Sequence, residues 1–99
     1  MSDTLDPIIH QPVRLRIVAA LGALEPNASV DFNFLKDKLK LTDGNLGAHL
    51  ATLEEAGYVR AERASSGVRP KTFLALSDKG RSAFSSYRTA IERLLGGSA

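Results

Sequence analysis

Residues 41–58, LTDGNLGAHLATLEEAGY, decide how the rest of the chain is read. Thr42 is an N-cap residue type, and Asp43 would put a negative charge in the first turn, where it complements the helix dipole. Leu46, Leu50 and Leu53 recur at i, i+4 and i+7, and Gly57 suits the left-handed residue that ends a helix. The stretch therefore predicts a helix over residues 43–56. On a wheel of about 100° per residue, Leu50 and Leu53 fall within about 40° of Leu46. Gly44, Asn45, Ala48, Thr52 and Glu55 fall on the opposite side. That face is small and carries no basic side chain, so it can approach a partner closely but cannot attract an anion.

Upstream, SVDFNFLKDKLKL places Asp31 as the cap of a short helix with Phe32, Leu35 and Leu39 on one face, after a token strand at Val30. Two helices separated by a few residues make a helix-turn-helix unit. Before it, PVRLRIVAALGAL opens on Pro12 and carries Val13, Ile17, Leu21 and Leu24 at helical spacing. Residues 1–11 carry Leu5, Ile8 and Ile9 among polar residues, and Pro7 suits the first position of a short helix there. Downstream, residues 58–64 and 71–76 alternate and are rich in β-formers, and SSGVRP at 65–70 reads as the turn between them. Ser77 and Asp78 begin a last helix over about 78–95, with Phe84, Tyr87, Ile91, Leu94 and Leu95 as its apolar stripe. Gly80 is a poor helix former in its first turn.

Ninety-nine residues, 43% hydrophobic and 24% charged, suit one ordinary globular domain spanning residues 1–99. The absence of cysteine removes disulfides, thiolate chemistry and cysteine-containing zinc sites. His10 and His49 are far apart, with no carboxylates at ligand spacing, so neither a metal nor a cofactor is expected. No catalytic residues are expected either, because no nucleophile has a base and an orienting partner at hand. No apolar run approaches a membrane span, and the N-terminus lacks the pattern of a signal peptide, which points to the cytoplasm. The net charge of +2 is unevenly spread. Residues 1–57 hold five basic against eight acidic side chains, whereas residues 58–71 hold four basic side chains against Glu62. The positive charge lies just beyond the helix that lacks it.

The fold class expected from this order is mainly α with a small β-hairpin, a winged helix-turn-helix flanked by N- and C-terminal helices. With LTDGNL, HL, LEEAGYV and RPKTFLALSDKGRSAF, the chain resembles the small winged-helix transcriptional regulators of the MarR/ArsR-like superfamily, about a hundred residues long and without a separate effector domain. The resemblance runs from Leu5 to about Leu95. It implies that helix 43–56 is a recognition helix for the major groove and that residues 58–76 form the wing. It also implies a homodimer through the terminal helices, bound to a pseudo-palindromic operator. Gly47 stands where relatives often carry serine, and metal sensing does not carry over because its ligand clusters are missing.

For individual residues, Asn45 can bond an adenine edge, and Ala48 and the Thr52 methyl can meet a thymine methyl. Gly44 and Gly47 let the backbone approach, and the amides beside Thr42 can hold a phosphate. His49 lies on the flank, as a phosphate ligand or as a polar neighbour of the core. Arg69 at the wing tip suits the minor groove or its phosphates. Arg63 and Lys71 suit phosphate contacts, with ion pairing to Glu62 as the alternative. Lys38 and Lys40 are the best placed of the other basic residues. Leu5, Ile8, Ile9, Phe84, Tyr87, Ile91, Leu94 and Leu95 would leave an apolar patch on a monomer and are expected at a dimer interface. The reading is a DNA-binding regulator, more readily a repressor than an activator. A winged helix that binds an acidic protein partner is the alternative.

Overall fold

The computed structural model describes residues 5–66 and 69–96. Among them the elements run α1 (Pro12–Gly22), β1 (Val30–Asp31), α2 (Phe32–Leu39), α3 (Asp43–Glu55), β2 (Val59–Ser66), β3 (Arg69–Leu76) and α4 (Asp78–Leu94). The helix boundaries follow local chemistry. Gln11 accepts the Arg14 amide and Pro12 stands at the first position of α1, Asp31 caps α2, Thr42 caps α3, and Ser77 caps α4. Gly57, at φ 84°, ends α3: its amide reaches the Glu54 carbonyl and the Tyr58 amide reaches back to Leu53, a Schellman closure.

The strands form an antiparallel sheet in the order β1–β3–β2. Val30 pairs with Leu74 and Asp31 with Phe73, so the token strand converts the hairpin into a three-stranded sheet. The hairpin is longer than the sequence predicts. Pairing runs from Val59–Leu76 to Ser66–Arg69, so most of the expected turn SSGVRP is strand. The turn-type residues Ser65, Ser66 and Pro70 are themselves paired across the two strands. Pro70 is tolerated because β1 reaches only Phe73 and Leu74, leaving β3 one neighbour at that point.

The core joins all the helices to the sheet through Ile17, Val18 and Leu21 of α1, Leu35 and Leu39 of α2, Leu46, Leu50 and Leu53 of α3, Leu74 and Leu76 of β3, and Tyr87 of α4. The short helix expected within residues 1–11 is, over the described residues 5–11, a single turn closed by the His10 amide on the Asp6 carbonyl. Asp6 takes the Ile8 amide with its side chain, the kind of local bond that competes with a helix. This strap is held at both ends. Tyr58 Oη donates to Asp6 Oδ2 at 2.5 Å, His10 Nδ1 and Tyr87 Oη share a hydrogen bond of 2.9 Å, and Ile9 between them is fully buried.

The bond to the Asp6 carboxylate, burial and the carboxylate's charge push the Tyr58 phenol up to about 12. The folded state thus favours the neutral phenol, and the stability this contributes is complete below the ordinary tyrosine value of about 10. It disappears as pH rises from there through about 12. Alkaline unfolding monitored by circular dichroism should therefore show wild type losing stability over that window. Tyr58→Phe, less stable at neutral pH, should lose less.

The start of α4 sits directly on the end of α3. The Ser77 amide donates to the Tyr58 carbonyl at 2.9 Å, Ser77 Oγ donates to the Gly57 carbonyl, and Ser77 Oγ accepts the Gly80 amide. A Cβ on Gly80 would lie 2.1 Å from the Tyr58 carbonyl oxygen. The residue that looks like a weak helix former is therefore the one that lets two elements touch.

Candidate nucleic-acid interface

Helix α3 presents what the sequence predicts. Leu46, Leu50 and Leu53 are buried, whereas Thr42, Gly44, Asn45 and Ala48 are exposed and Thr52 is half-buried. Thr42 Oγ1 accepts the Asn45 amide at 3.1 Å, and the Thr52 hydroxyl turns back to the Ala48 carbonyl. Asp43 is not left as a bare carboxylate at the exposed start of α3. Lys36 Nζ lies 3.0 Å from its Oδ1, joining α2 to α3. The bond to Asp43, followed by its charge, raises the Lys36 pKa above the ordinary lysine value.

Gly44 on this face and Gly47 at its edge carry the clearest information. A Cβ built on Gly44 or Gly47 meets nothing within 4 Å, so packing within the chain does not require either residue to be glycine. Glycine inside a helix is less favourable than alanine by about 1 kcal/mol. Gly47→Ala should therefore stabilise the free protein by about that amount in urea unfolding. The same change should not improve DNA binding, which a duplex titration of the variant would check.

Beside this face stands the base of the hairpin. Arg63 and Thr72 with Ala61 and Leu74 of the sheet, and Gly47, Leu50, Ala51 and Glu54 of α3, line a crevice of about 250 Å³ between helix and wing. Arg63 thus borders α3 itself. Arg63 and Lys71 are exposed, and among the described residues neither forms an ion pair with Glu62 or any other carboxylate. Lys38 and Lys40 are exposed at the end of α2, with Lys40 the left-handed residue (φ 57°) that closes it. The side chain of Arg69 and the tip at residues 67 and 68 lie outside the described residues.

Other arginines have internal tasks that the sequence does not announce. Arg16 Nη2 donates to the Leu39 carbonyl at 2.6 Å, and Arg81 reaches the carbonyls of Gly22 at the end of α1 and of Leu24 and Glu25 beyond it. Arg14 Nη1 donates to His49 Nδ1 at 3.3 Å, and Arg14 Nε donates to the Ile8 carbonyl at 2.6 Å. Each is a contact between distant segments, which helical periodicity cannot reveal. His49 is half-buried on the flank of α3.

The residues expected at a dimer interface divide into three groups. Ile9 (0% exposed) and Tyr87 (5%) belong to the chain's own core, a correction to the apolar patch expected from sequence. Leu5, Ile8, Phe84 and Ile91 are half-buried against that core. Leu94 and Leu95 are exposed by 61% and 81%. A groove of about 370 Å³ between α1 and α4, lined by Leu15, Phe84, Tyr87 and Ile91 and edged by Arg88 and Glu92, lies along the same helix. Among the described residues, no group of three or more His, Asp or Glu could hold a metal, and no helix is long and apolar enough to cross a membrane.

Residues 13–95 match the winged helix DNA-binding domain family. The chain is 45% identical over 80 residues to the uncharacterized protein MJ0432 of Methanocaldococcus jannaschii, covering 81% of this chain and 84% of that protein. Among solved structures it is similar to a transcriptional regulator homologue from Pyrococcus horikoshii OT3, with a TM-score of 0.81 and 29% identity over 91% of this chain and 86% of the other. NadR, solved in complex with 4-hydroxyphenylacetate, shares the fold at a TM-score of 0.69 and 23% identity, over 91% of this chain and 64% of its own.

Proposed function

The chain belongs to the winged helix DNA-binding domain family, and from that premise we propose that it is a homodimeric, sequence-specific regulator of transcription, acting as a repressor on a pseudo-palindromic operator. Helix α3 reads the major groove of double-stranded DNA. Thr42, Gly44, Asn45, Ala48, His49 and Thr52 lie on its exposed or flanking side, and Lys38, Lys40, Arg63, Arg69 and Lys71 supply phosphate contacts around it.

The observation that carries this reading is the pairing of α3's small face, whose two glycines have open space around them, with exposed Arg63 and Lys71 on the adjoining hairpin. Small residues permit the helix backbone to come close to base edges, and the wing supplies the attraction that α3 lacks. Dimerisation through α4 is supported by exposed Leu94 and Leu95 and by the apolar groove beside them. Two recognition helices about 34 Å apart would then address successive turns of one duplex face.

Selection of bound duplexes from a random pool tests this directly. The expected product is an inverted repeat, bound by two chains in a sedimentation experiment. Binding should weaken by about 0.9 log units per neutralised phosphate for each log unit of salt. Failure to enrich any duplex, together with salt-sensitive binding to an acidic protein, would replace this reading with that of a protein-interaction module.

A further inference from the structure

We propose that Arg14 is a positioning residue for recognition, holding His49 as a neutral hydrogen-bond donor whose Nε2–H contacts a phosphate oxygen at the rim of the groove. This deepens the DNA-binding reading above and rests on it. A guanidinium has donors and no acceptor, so the 3.3 Å contact from Arg14 Nη1 requires a lone pair on His49 Nδ1. The ring proton of the neutral imidazole is then on Nε2, a nitrogen with no partner among the described residues. The second-partner logic is general: the bond made by one imidazole nitrogen fixes what the other can do.

Arg14 is itself fixed. Its Nε donates to the Ile8 carbonyl at 2.6 Å, so the strap holds the guanidinium, and its backbone amide donates to Gln11 Oε1 at 2.7 Å, so the helix cap holds the residue's main chain. His49 follows Asn45 by four residues, which places both on one edge of α3, about 40° apart on the wheel. It also lies about 60° from core Leu46, a border position with one side inward and the other beside the exposed face. When the small face enters the groove, that edge meets the sugar–phosphate rim and not the bases. A neutral donor there adds a hydrogen bond without displacing a counterion, so its signature differs from that of Arg63 or Lys71.

The test has two parts. In the free protein, in mildly alkaline buffer where imidazoles are neutral, the nitrogen spectrum should show His49 Nδ1 as an unprotonated, hydrogen-bonded acceptor. Arg14→Leu should move it to the unbonded position. On a mixed-sequence duplex, His49→Ala should weaken binding by about tenfold at fixed salt while leaving the salt slope unchanged. Arg14→Leu should cost a similar factor alone and little, within about twofold, in the His49→Ala background. If Arg14→Leu does not fold, Arg14→Lys keeps the charge without the fork that reaches Ile8 and His49 together, and should shift the nitrogen spectrum with an unaltered salt slope. Multiplying losses, or a shallower salt slope in either single variant, would mean that charge acts on DNA directly, which overturns the proposal. So would wild-type binding by His49→Ala. If wild type binds no duplex at all, the DNA-binding reading falls and this proposal with it, whatever the spectrum shows.

Discussion

Gly80→Ala is expected to destabilise the protein by about 3 kcal/mol or more, lowering the thermal midpoint by roughly 15 °C. The added methyl would stand 2.1 Å from the Tyr58 carbonyl oxygen, 2.9 Å from its carbonyl carbon and 3.1 Å from Leu76 Cδ2. Two of those neighbours are backbone and cannot rotate away. Relief requires α4 to slide off the Gly57–Tyr58 corner, which would stretch the bond from the Ser77 amide to Tyr58 and that from Ser77 Oγ to Gly57. Helix propensity alone argues the other way, since alanine is better than glycine by about 1 kcal/mol. The contrast with Gly47→Ala, expected to stabilise, makes the experiment decisive. Urea unfolding of the two variants side by side should give opposite signs, and equal stabilities would show that the close approach at Gly80 does not exist.

The largest effect on binding is expected from Ala48→Glu. Ala48 is exposed at the middle of the face that α3 would insert, and glutamate is a good helix former, so folding should be little affected. A carboxylate carried into a groove walled by phosphates meets like charge on both sides. A cost of about 3 kcal/mol, or roughly a hundredfold in affinity, is expected. Ala48→Gln has nearly the same size without the charge and should lose much less. Fluorescence anisotropy with a selected duplex would measure both. If Ala48→Glu binds as tightly as wild type, α3 is not the element in the groove, whatever the wing contributes.

Much of this architecture is legible because it is local. Caps at Asp31, Thr42 and Ser77, the leucine spacing of α3 and the left-handed Gly57 each depend on residues within one or two turns, and each can be read in order along the chain. What escapes is set by distant partners. SSGVRP has the composition of a turn, but continued pairing across β2 and β3 outweighs it. The segment 5–11 has an apolar spacing and a proline that suit a helix, but Asp6 divides its side chain between Ile8 and Tyr58 and leaves one turn. Ile9 reads as surplus apolar area until the folded chain is seen to bury it completely in its own core. Likewise Arg14, Arg16 and Arg81 resemble ordinary surface charges, and only the folded chain shows the carbonyls and the imidazole they serve. For the proposed interface, the sequence indicates the small face and the basic hairpin separately. It does not indicate that Arg63 borders Gly47 and Leu50 across one crevice.

The short reach of β1 has a consequence for life in a crowded solution. Because it pairs with only two residues of β3, the outer half of the hairpin has open edges on both strands, a template onto which another hairpin could add. Arg60, Glu62 and Arg63 stand exposed along β2, and Lys71 and Pro70 along β3, where they oppose such pairing by repulsion and by a missing donor. Arg63 and Lys71, which would hold a polyanion, thus help keep neighbouring molecules from joining edge to edge when no polyanion is there.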